Sequence, residues 1–389
     1  MTYHVAMDCS RYHRQMLLPG FGDAGQRRLA DASVLIVGCG ALGSVSAELL
    51  CRAGVGRLVL VDRDVVEPTN LQRQVLFDEA DAAAAAPKAD AARRRLAAIN
   101  SGIQIEAHVS DLDHRNAEAL AGIGPDADGP RVDVVVDGTD NFATRFLLND
   151  LCCKHGLPYC YGGAVGTTGS AMCILPRTVD RDAAWERLDD GEEPTDLATP
   201  DLTALLPEPP PPGSGPTCDT AGVLGPAVGM VANFQAAQCL KMLLGCWRDV
   251  ERRMLQLDLW RNTLRLVDVS RFAEDAAEPA DREYPYLEGR HAERTTSLCG
   301  RNAVQIARRD RSDTSGRDHN QATAIDLEAL AQRLAAQGPV KHNPSLLRAL
   351  VREGEHRYEL SVFPDGRAII RGTTDPARAR SLYARYVGQ

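Results

Sequence analysis

Apolar residues first gather in an unbroken block at Ser33–Val37, and a run that short predicts a strand covered on both faces. The next stretch repeats its apolar positions at helical spacing to about Ala53, and "RLVLVD", ending at Asp62, predicts a second strand. The alternation continues. "PKADAARRRLAAIN" predicts a basic helix with Pro87 near its start, "IQIEAHV" a strand, "VDVVVDGTDN" a buried strand closed by a polar turn, and "FATRFLLNDLCCKHG" a helix. "LPYCYGGAVG" and "GSAMCILP" then predict strands with Gly-rich ends. Strands alternating with helices imply an α/β fold: a doubly wound, mostly parallel sheet with antiparallel additions after residue 157.

From about Arg177 to 217 the periodicity disappears, and eight prolines fall between Pro194 and Pro216. This predicts a long, extended, mobile crossover without regular structure. "GVLGPAVGMVANFQAAQCLKMLLG" follows as an apolar, buried helix, and "RRMLQLDLW" with "TLRLVDV" as a closing hairpin. Residues 1–270 make one domain on this reading. An acidic, Ala/Pro-rich linker spans 271–283, and a small C-terminal α/β unit spans 284–389. In that unit "DLEALAQRLAAQ" and "DPARARSLYARYV" predict helices, and "YELSVFPDGRAIIRG" predicts two strands joined at a Pro-Asp-Gly turn.

Composition narrows the function classes. With 389 residues the chain can bury a real core, and its 44% apolar and 25% charged content is that of a globular protein. A net charge of −9 argues against nonspecific nucleic-acid binding and against an anionic membrane surface. No apolar run reaches the roughly 20 residues of a spanning helix, and "MTYHVAMDCSRYHRQ" lacks a secretory pattern. Eleven cysteines are an odd number, and Cys39, Cys160, Cys173 and Cys239 sit inside apolar patterns as small hydrophobes. A reducing, cytoplasmic setting is the expectation.

Gly38, Gly40 and Gly43 form GxGxxG between the first strand and its helix, with Ala41 opening that helix. Asp62 follows about 20 residues on, placed to accept hydrogen bonds from ribose hydroxyls; the bland alternative is a loop-capping Asp. A dinucleotide enzyme and an ATP enzyme look alike to this point. Beyond it stand Asp64, Asn70, Arg73 and Gln74 in "DRDVVEPTNLQRQ", Lys88 at the next helix start, and Asp140 and Asn141 in "DGTDN". Strand carboxyl ends share one side of an open sheet, so these groups can converge. Two cations and a carboxylate suit a triphosphate with Mg²⁺. Each cation alone reads as a solvated surface charge.

"RYHRQMLLPGFGDAGQRRL", "GCGALG", "VDRDVVEPTNLQRQ", "PKADAA", "DGTDN" and "PTCDTAGVLGP", in this order over roughly residues 10–270, resemble the ThiF/MoeB adenylyltransferase family, bacterial relatives of ubiquitin-activating enzymes. The C-terminal "LCGRNAVQI" and "FPDGRAIIRG" are similar to ThiF-type chains. The resemblance implies MgATP-dependent activation of the C-terminal glycine of a ubiquitin-fold sulfur-carrier protein ending in Gly-Gly. It implies that Gly38, Gly40 and Gly43 line the nucleotide loop, Asp62 holds the ribose, Asn70, Arg73 and Lys88 contact phosphates, and Asp140 positions Mg²⁺. It also implies that Arg14 reaches the nucleotide of a second subunit, hence a homodimer, and that a sulfur donor such as a cysteine desulfurase acts downstream.

Cys218, in "PTCDTAG" just before a helix start, is the candidate thiol for sulfur transfer, and Cys299 in "SLCGRN" is a second; the bland reading of each is an incidental loop cysteine. Many family members hold a structural zinc with two Cys-x-x-Cys pairs. The matching places here read "DLTA" (Asp201 to Ala204) and "AEDAAEPAD", without Cys or His, so zinc is expected to be absent. No rhodanese-type active loop is visible. Three other readings stay open at this point: activation of a ubiquitin-like protein for conjugation, an NAD-dependent oxidoreductase with the same βαβ unit, and a silent nucleotide-holding scaffold.

Overall fold

The computed structural model of the chain describes residues 9–127, 129–178, 198–210, 221–273, 282–291, 295–298, 303–306, 325–354 and 356–388. They fall into two compact units, one from the chain up to Pro210 and from Ala221 to His291, the other from Ala292 onward.

The first unit runs α1 (Gly22–Asp31), β1 (Ser33–Val37), α2 (Ala41–Ala53), β2 (Arg57–Val61), α3 (Lys88–Ile99), β3 (Gln104–His108), β4 (Val134–Asp137) and α4 (Phe142–His155). It continues with β5 (Tyr159–Val165), β6 (Thr168–Ile174), the one-turn α5 (Leu202–Leu205), α6 (Gly225–Leu243), β7 (Met254–Asp258) and β8 (Thr263–Val267). The sheet order is β3-β2-β1-β4-β5-β6-β7-β8. Its first five strands are parallel and the rest antiparallel, as the alternation predicts.

The continuous apolar run in β1 has its physical reason in this layering. Val34 and Ile36 join one core with Leu50, Leu96 and Met242, whereas Leu35 and Val37 join the other with Phe146, Leu148 and Tyr159. Helices α2, α3 and α6 therefore cover one face and α4 the other. Each fully buried aliphatic side chain contributes roughly 1.5–3 kcal/mol by leaving water. The predicted core cysteines are buried at 0–1% exposure. Gly54, at φ 85°, stops α2 with its N–H on the last-turn carbonyls of Leu50 and Cys51.

Strand β1 lies between β2 and β4, where the winding reverses, so the crevice opens at their carboxyl ends. Two glycines make that crevice tight. Gly38 has φ +88°, and a Cβ there would stand 2.5 Å from the Gly138 carbonyl oxygen; one on Gly43 would stand 1.7 Å from the Gly38 carbonyl oxygen. Any side chain would force the two turns apart.

Two expectations need correction. The described part of the crossover, 198–210, is docked rather than extended. Thr199 donates its N–H to Leu175 O just after β6, its hydroxyl oxygen accepts the Leu175 N–H and its hydroxyl donates to Cys173 O, and Asn149 of α4 accepts the Leu202 N–H at 2.8 Å. Asp201 caps α5 by accepting the Ala204 N–H at 3.0 Å, and Leu202 enters the core. The boundary after 283 also shifts. Residues 282–291 belong to the first unit, because Tyr286 stacks on Phe146 at 5.1 Å and Leu287 is buried beside it.

The second unit contains β9 (Thr295–Leu298), β10 (Ala303–Ile306), α7 (Leu327–Leu334), β11 (Val340–Asn343), β12 (Leu346–Glu353), β13 (His356–Val362), β14 (Ala368–Arg371) and α8 (Pro376–Tyr386). Its antiparallel sheet has the order β11-β12-β13-β14-β10-β9. Leu327, Leu330, Ala379 and Leu382 of the two helices pack on Leu347, Val351, Leu360 and Ile370. The Pro-Asp-Gly hairpin and both helices stand where the pattern puts them; β9, β10, β11 and β12 are additions to it.

Candidate functional site

Asp62 follows β2 and knits the crevice together. One carboxylate oxygen accepts the Cys39 N–H at 2.7 Å, the other the Asp64 N–H at 2.7 Å. The glycine loop is thereby tied to the turn after β2, and each oxygen keeps a lone pair for a hydroxyl donor. Burial pushes the Asp62 pKa up, Lys88 opposes this, and Asp64 reinforces it. Lys88 is buried, its ammonium 3.1 Å from Asp64 Oδ2 and its backbone N–H on Asp64 O at 2.9 Å. Burial pushes the neighbouring Cys39 thiol well above its ordinary range, so it serves as packing and not as a nucleophile.

The loop itself is a cradle. Gly40 precedes α2 with no side-chain cap on the first N–H groups, and the first turn carries no acid. A Cβ on Gly40 would meet nothing nearer than 3.8 Å, so there is room for an anion at this helix start. Gln74, buried behind it, has its Oε1 without a hydrogen-bond partner among the described residues. These features fit the phosphates and polar groups of a nucleotide.

The turn after Glu67 places the next groups. Asn70 is buried and accepts the Glu67 N–H at 2.9 Å, which fixes its Oδ1 structurally and leaves its Nδ2 to donate. Arg73 is half-buried, with Nη1 on Thr69 O at 2.8 Å. The start of α6 abuts this turn: a Cβ on Gly225 would lie 3.2 Å from Gln72 O and 3.8 Å from Arg73 Cβ. Just before α6, Gly166 of the β5–β6 turn donates to Gly222 O and accepts from Leu224 N. Cys218 and Cys299 lie outside the described residues.

At the end of β4, Asp140 is exposed on its turn. Beneath it Asp137 is fully buried and accepts from the Thr139 N–H and hydroxyl, from Arg145 Nε at 3.1 Å and from Tyr159 OH at 3.0 Å. Arg145 also donates to Thr139 O and Gly162 O and lies between the Phe142 and Tyr161 rings. Asn141 caps α4 by accepting the Thr144 N–H at 2.8 Å, so its oxygen is committed to the helix. Arg63 pairs with Asp111 at 2.6 Å and reaches Asp64 at 3.8 Å. Burial works against its charge, but Asp111, Asp64 and Asp140 more than offset this. Sequence reasoning missed Arg63, Asp137 and Arg145. Only the acid opening "DGTDN" hinted at the second, and both arginines read as surface charges.

The "RYHRQ" motif divides between anchors and one outward cation. Tyr12 is buried and its hydroxyl accepts from Asn100 Nδ2 at 2.8 Å; Gln15 donates to Ala53 O. Arg14 between them is exposed.

The model of the ThiF family matches residues 12–278. The chain belongs to the ThiF family. This ThiF-family chain is 38% identical over 380 residues, 97% of its own length and 99% of the relative's, to the sulfur carrier protein ThiS adenylyltransferase of Bacillus subtilis (strain 168). It is 37% identical over 264 residues to the sulfur carrier protein adenylyltransferase of Thermus thermophilus, covering 68% of this chain and 88% of that one. Among solved structures, Escherichia coli MccB with AMPCPP and MccA has a TM-score of 0.51 at 19% identity, covering 68% of this chain and 72% of that one, a likeness of fold. Membership removes the hydride-transfer alternative.

Asp201, the first residue of "DLTA", pairs with Arg282, and both side chains are nearly buried.

Proposed function

We propose that this chain is an ATP-dependent adenylyltransferase that activates the C-terminal glycine of a ubiquitin-fold sulfur carrier, for thiazole- or molybdopterin-type sulfur transfer. The observation that carries the reading is the crevice itself. An uncapped helix start, the doubly bonded Asp62 and the buried Lys88 converge at the switch point of a sheet whose sequence aligns end to end with a ThiS adenylyltransferase.

Asp62 holds the ribose, while the α2 N–H groups, Asn70, Arg73 and Lys88 hold the phosphates. Asp140, steadied from below by Asp137 and Arg145, is the residue to hold Mg²⁺, with Asp64 nearby. The metal, when bound, adds positive charge against the phosphate oxygens. The carrier's terminal carboxylate attacks the α-phosphorus in line, the bond to the β-phosphate oxygen breaks, and pyrophosphate leaves. The nucleophile is already anionic, so no general base is needed, and positioning with charge neutralisation supplies the acceleration. The Cys218 thiolate, the nucleophile we assign to this half, then attacks the acyl carbon and expels AMP to leave a thioester, and sulfide-level sulfur from the donor displaces the Cys218 thiolate to leave the thiocarboxylate. We place the chain in the cytoplasm as a homodimer, with the 1–270 region catalytic and the C-terminal unit auxiliary. We also propose that no zinc is required, since the Asp201–Arg282 pair already ties the segments together.

Exchange of labelled pyrophosphate into ATP, dependent on a Gly-Gly-terminated carrier, tests the reading. We expect Arg73→Ala and Asp140→Ala to lower exchange at least about a hundredfold. Cys218→Ala should spare exchange and stop thiocarboxylate formation. Nucleotide binding without exchange, whatever the carrier, would reject the assignment.

A further inference from the structure

The proposed chemistry uses no described group of the C-terminal unit, yet its sheet carries a strong pattern of charge. Leu347, Ala349, Val351, Leu360, Val362 and Ile370 face the core, so alternate positions face the other way. Across that second face one row runs Lys341–Arg348–Ser361–Ile369 and another Leu350–Glu359–Arg371, with Arg352 opposite Arg357. Among the described residues, five cations share the face with one carboxylate, Glu359, which pairs with Arg371 at 3.4 Å. The whole chain carries −9, so the sign is inverted locally.

One cross-strand pair sets exposed cation against exposed cation: Arg352 with Arg357. Like charges directly opposite destabilise a sheet. Lys341, Arg352 and Arg357 are exposed, and none has an ion-pair partner among the described residues. An anionic partner would relieve the repulsion. Leu350, 46% exposed, lies in the midst of these cations and supplies an apolar centre with a polar rim, the anatomy of a protein contact. The one aromatic residue of β12 and β13, Tyr358, belongs to the core, so these strands offer no stacking platform for single-stranded nucleic acid.

We propose that this sheet face docks an acidic surface of the ubiquitin-fold carrier, with Leu350 at the centre and the exposed Lys341, Arg352 and Arg357 around it. The identity of the partner rests on the adenylyltransferase reading above. Opposed potentials speed encounter and select the partner, and their contribution weakens as salt screens them.

The test uses the full chain and the double variant Lys341→Glu/Arg357→Glu. Each new carboxylate would face a standing arginine, so the thermal midpoint should equal or exceed that of the parent. In carrier-dependent pyrophosphate exchange, the KM for carrier should rise about tenfold or more, and its dependence on salt should flatten. The kcat at saturating carrier and the KM for ATP should stay unchanged. The neutral variant Lys341→Gln/Arg352→Gln should raise the carrier KM by about threefold, which covers a folding failure of the first. Unchanged carrier KM and salt dependence in either folded variant overturns the proposal. So does a loss of bulk tRNA binding with carrier KM intact, which would assign the face to nucleic acid. If the parent shows no exchange at all, the adenylation reading fails by itself. Calorimetric carrier binding then decides the face: about tenfold weaker binding by the charge-reversed variant supports it, and equal binding overturns it.

Discussion

Asp62 works under opposing pressures. Burial favours its neutral form, while two backbone N–H donors and the Lys88 ammonium favour the carboxylate that a ribose needs. Lys88 therefore serves twice, as a phosphate cation and as the charge that keeps Asp62 ionised. Replacing it by Met should lower kcat for exchange by about a hundredfold to a thousandfold, the scale of one lost charge clamp. It should also move the acid limb of the ATP affinity profile to higher pH, because the Asp62 pKa rises once the opposing charge is gone. Measuring KM for ATP against pH in parent and variant separates the two roles. An unmoved limb with reduced kcat would leave Lys88 as a phosphate ligand alone. Arg145 shows the limit of reading single residues. In sequence it is one charge on a helix; in the fold it is the buried partner of Asp137 and the prop under the Asp140 turn.

At the scale of elements, the strap at 282–291 has its own pH dependence. Asp150 on α4 accepts the N–H groups of Tyr286 at 2.9 Å and Leu287 at 3.3 Å. Burial pushes its pKa from 3.8 up to about 6, against those two bonds and Arg282, with Asp201 adding to the rise. Since the folded value is raised, the contribution of Asp150 to stability is fully present below pH 3.8 and is lost as pH climbs through about 6. That displacement amounts to about 3 kcal/mol. Asp150→Asn keeps an acceptor for the strap without the charge, so urea midpoints should show it more stable than the parent at pH 7–8 and level with it near pH 4. Equal midpoints at every pH would refute the account. The neighbouring Asp201–Arg282 pair leads to a second expectation: purified protein should contain zinc far below one equivalent, and a chelator should leave its Tm unchanged. Stoichiometric zinc would refute it. How legible these elements were depended on length and repetition. The β1–α2–β2 unit was plain because its strands are buried on both faces and its glycines are sterically forced. The one-turn α5 was not, because it rests on the Asp201 cap and on Asn149, which lies 53 positions before Leu202 in the chain. Strand β12 was missed because exposed Leu350 and half-buried Arg348 blur its alternation.

For the whole molecule, the open question of assembly turns on Arg14. Tyr12 and Gln15 lock their segment onto Asn100 and Ala53, and the lone cation between them is exposed, with no partner of its own among the described residues. If it serves the nucleotide of a second copy, two inactive variants should repair each other. In a mixed dimer of Arg14→Ala with Asp62→Ala, the first protomer keeps an intact Asp62 crevice and receives Arg14 from the second. The reciprocal site lacks both groups. Random reassociation of equal amounts makes half the dimers mixed, each with one complete site, so exchange should recover to about a quarter of the parent value. If Arg14 acted within its own chain, mixing would restore nothing, since neither protomer would hold a complete set. Subunit exchange must be confirmed by mass in the same samples. Recovered exchange in samples that remain monomeric would also count against the dimer, because complementation then could not come from a shared site.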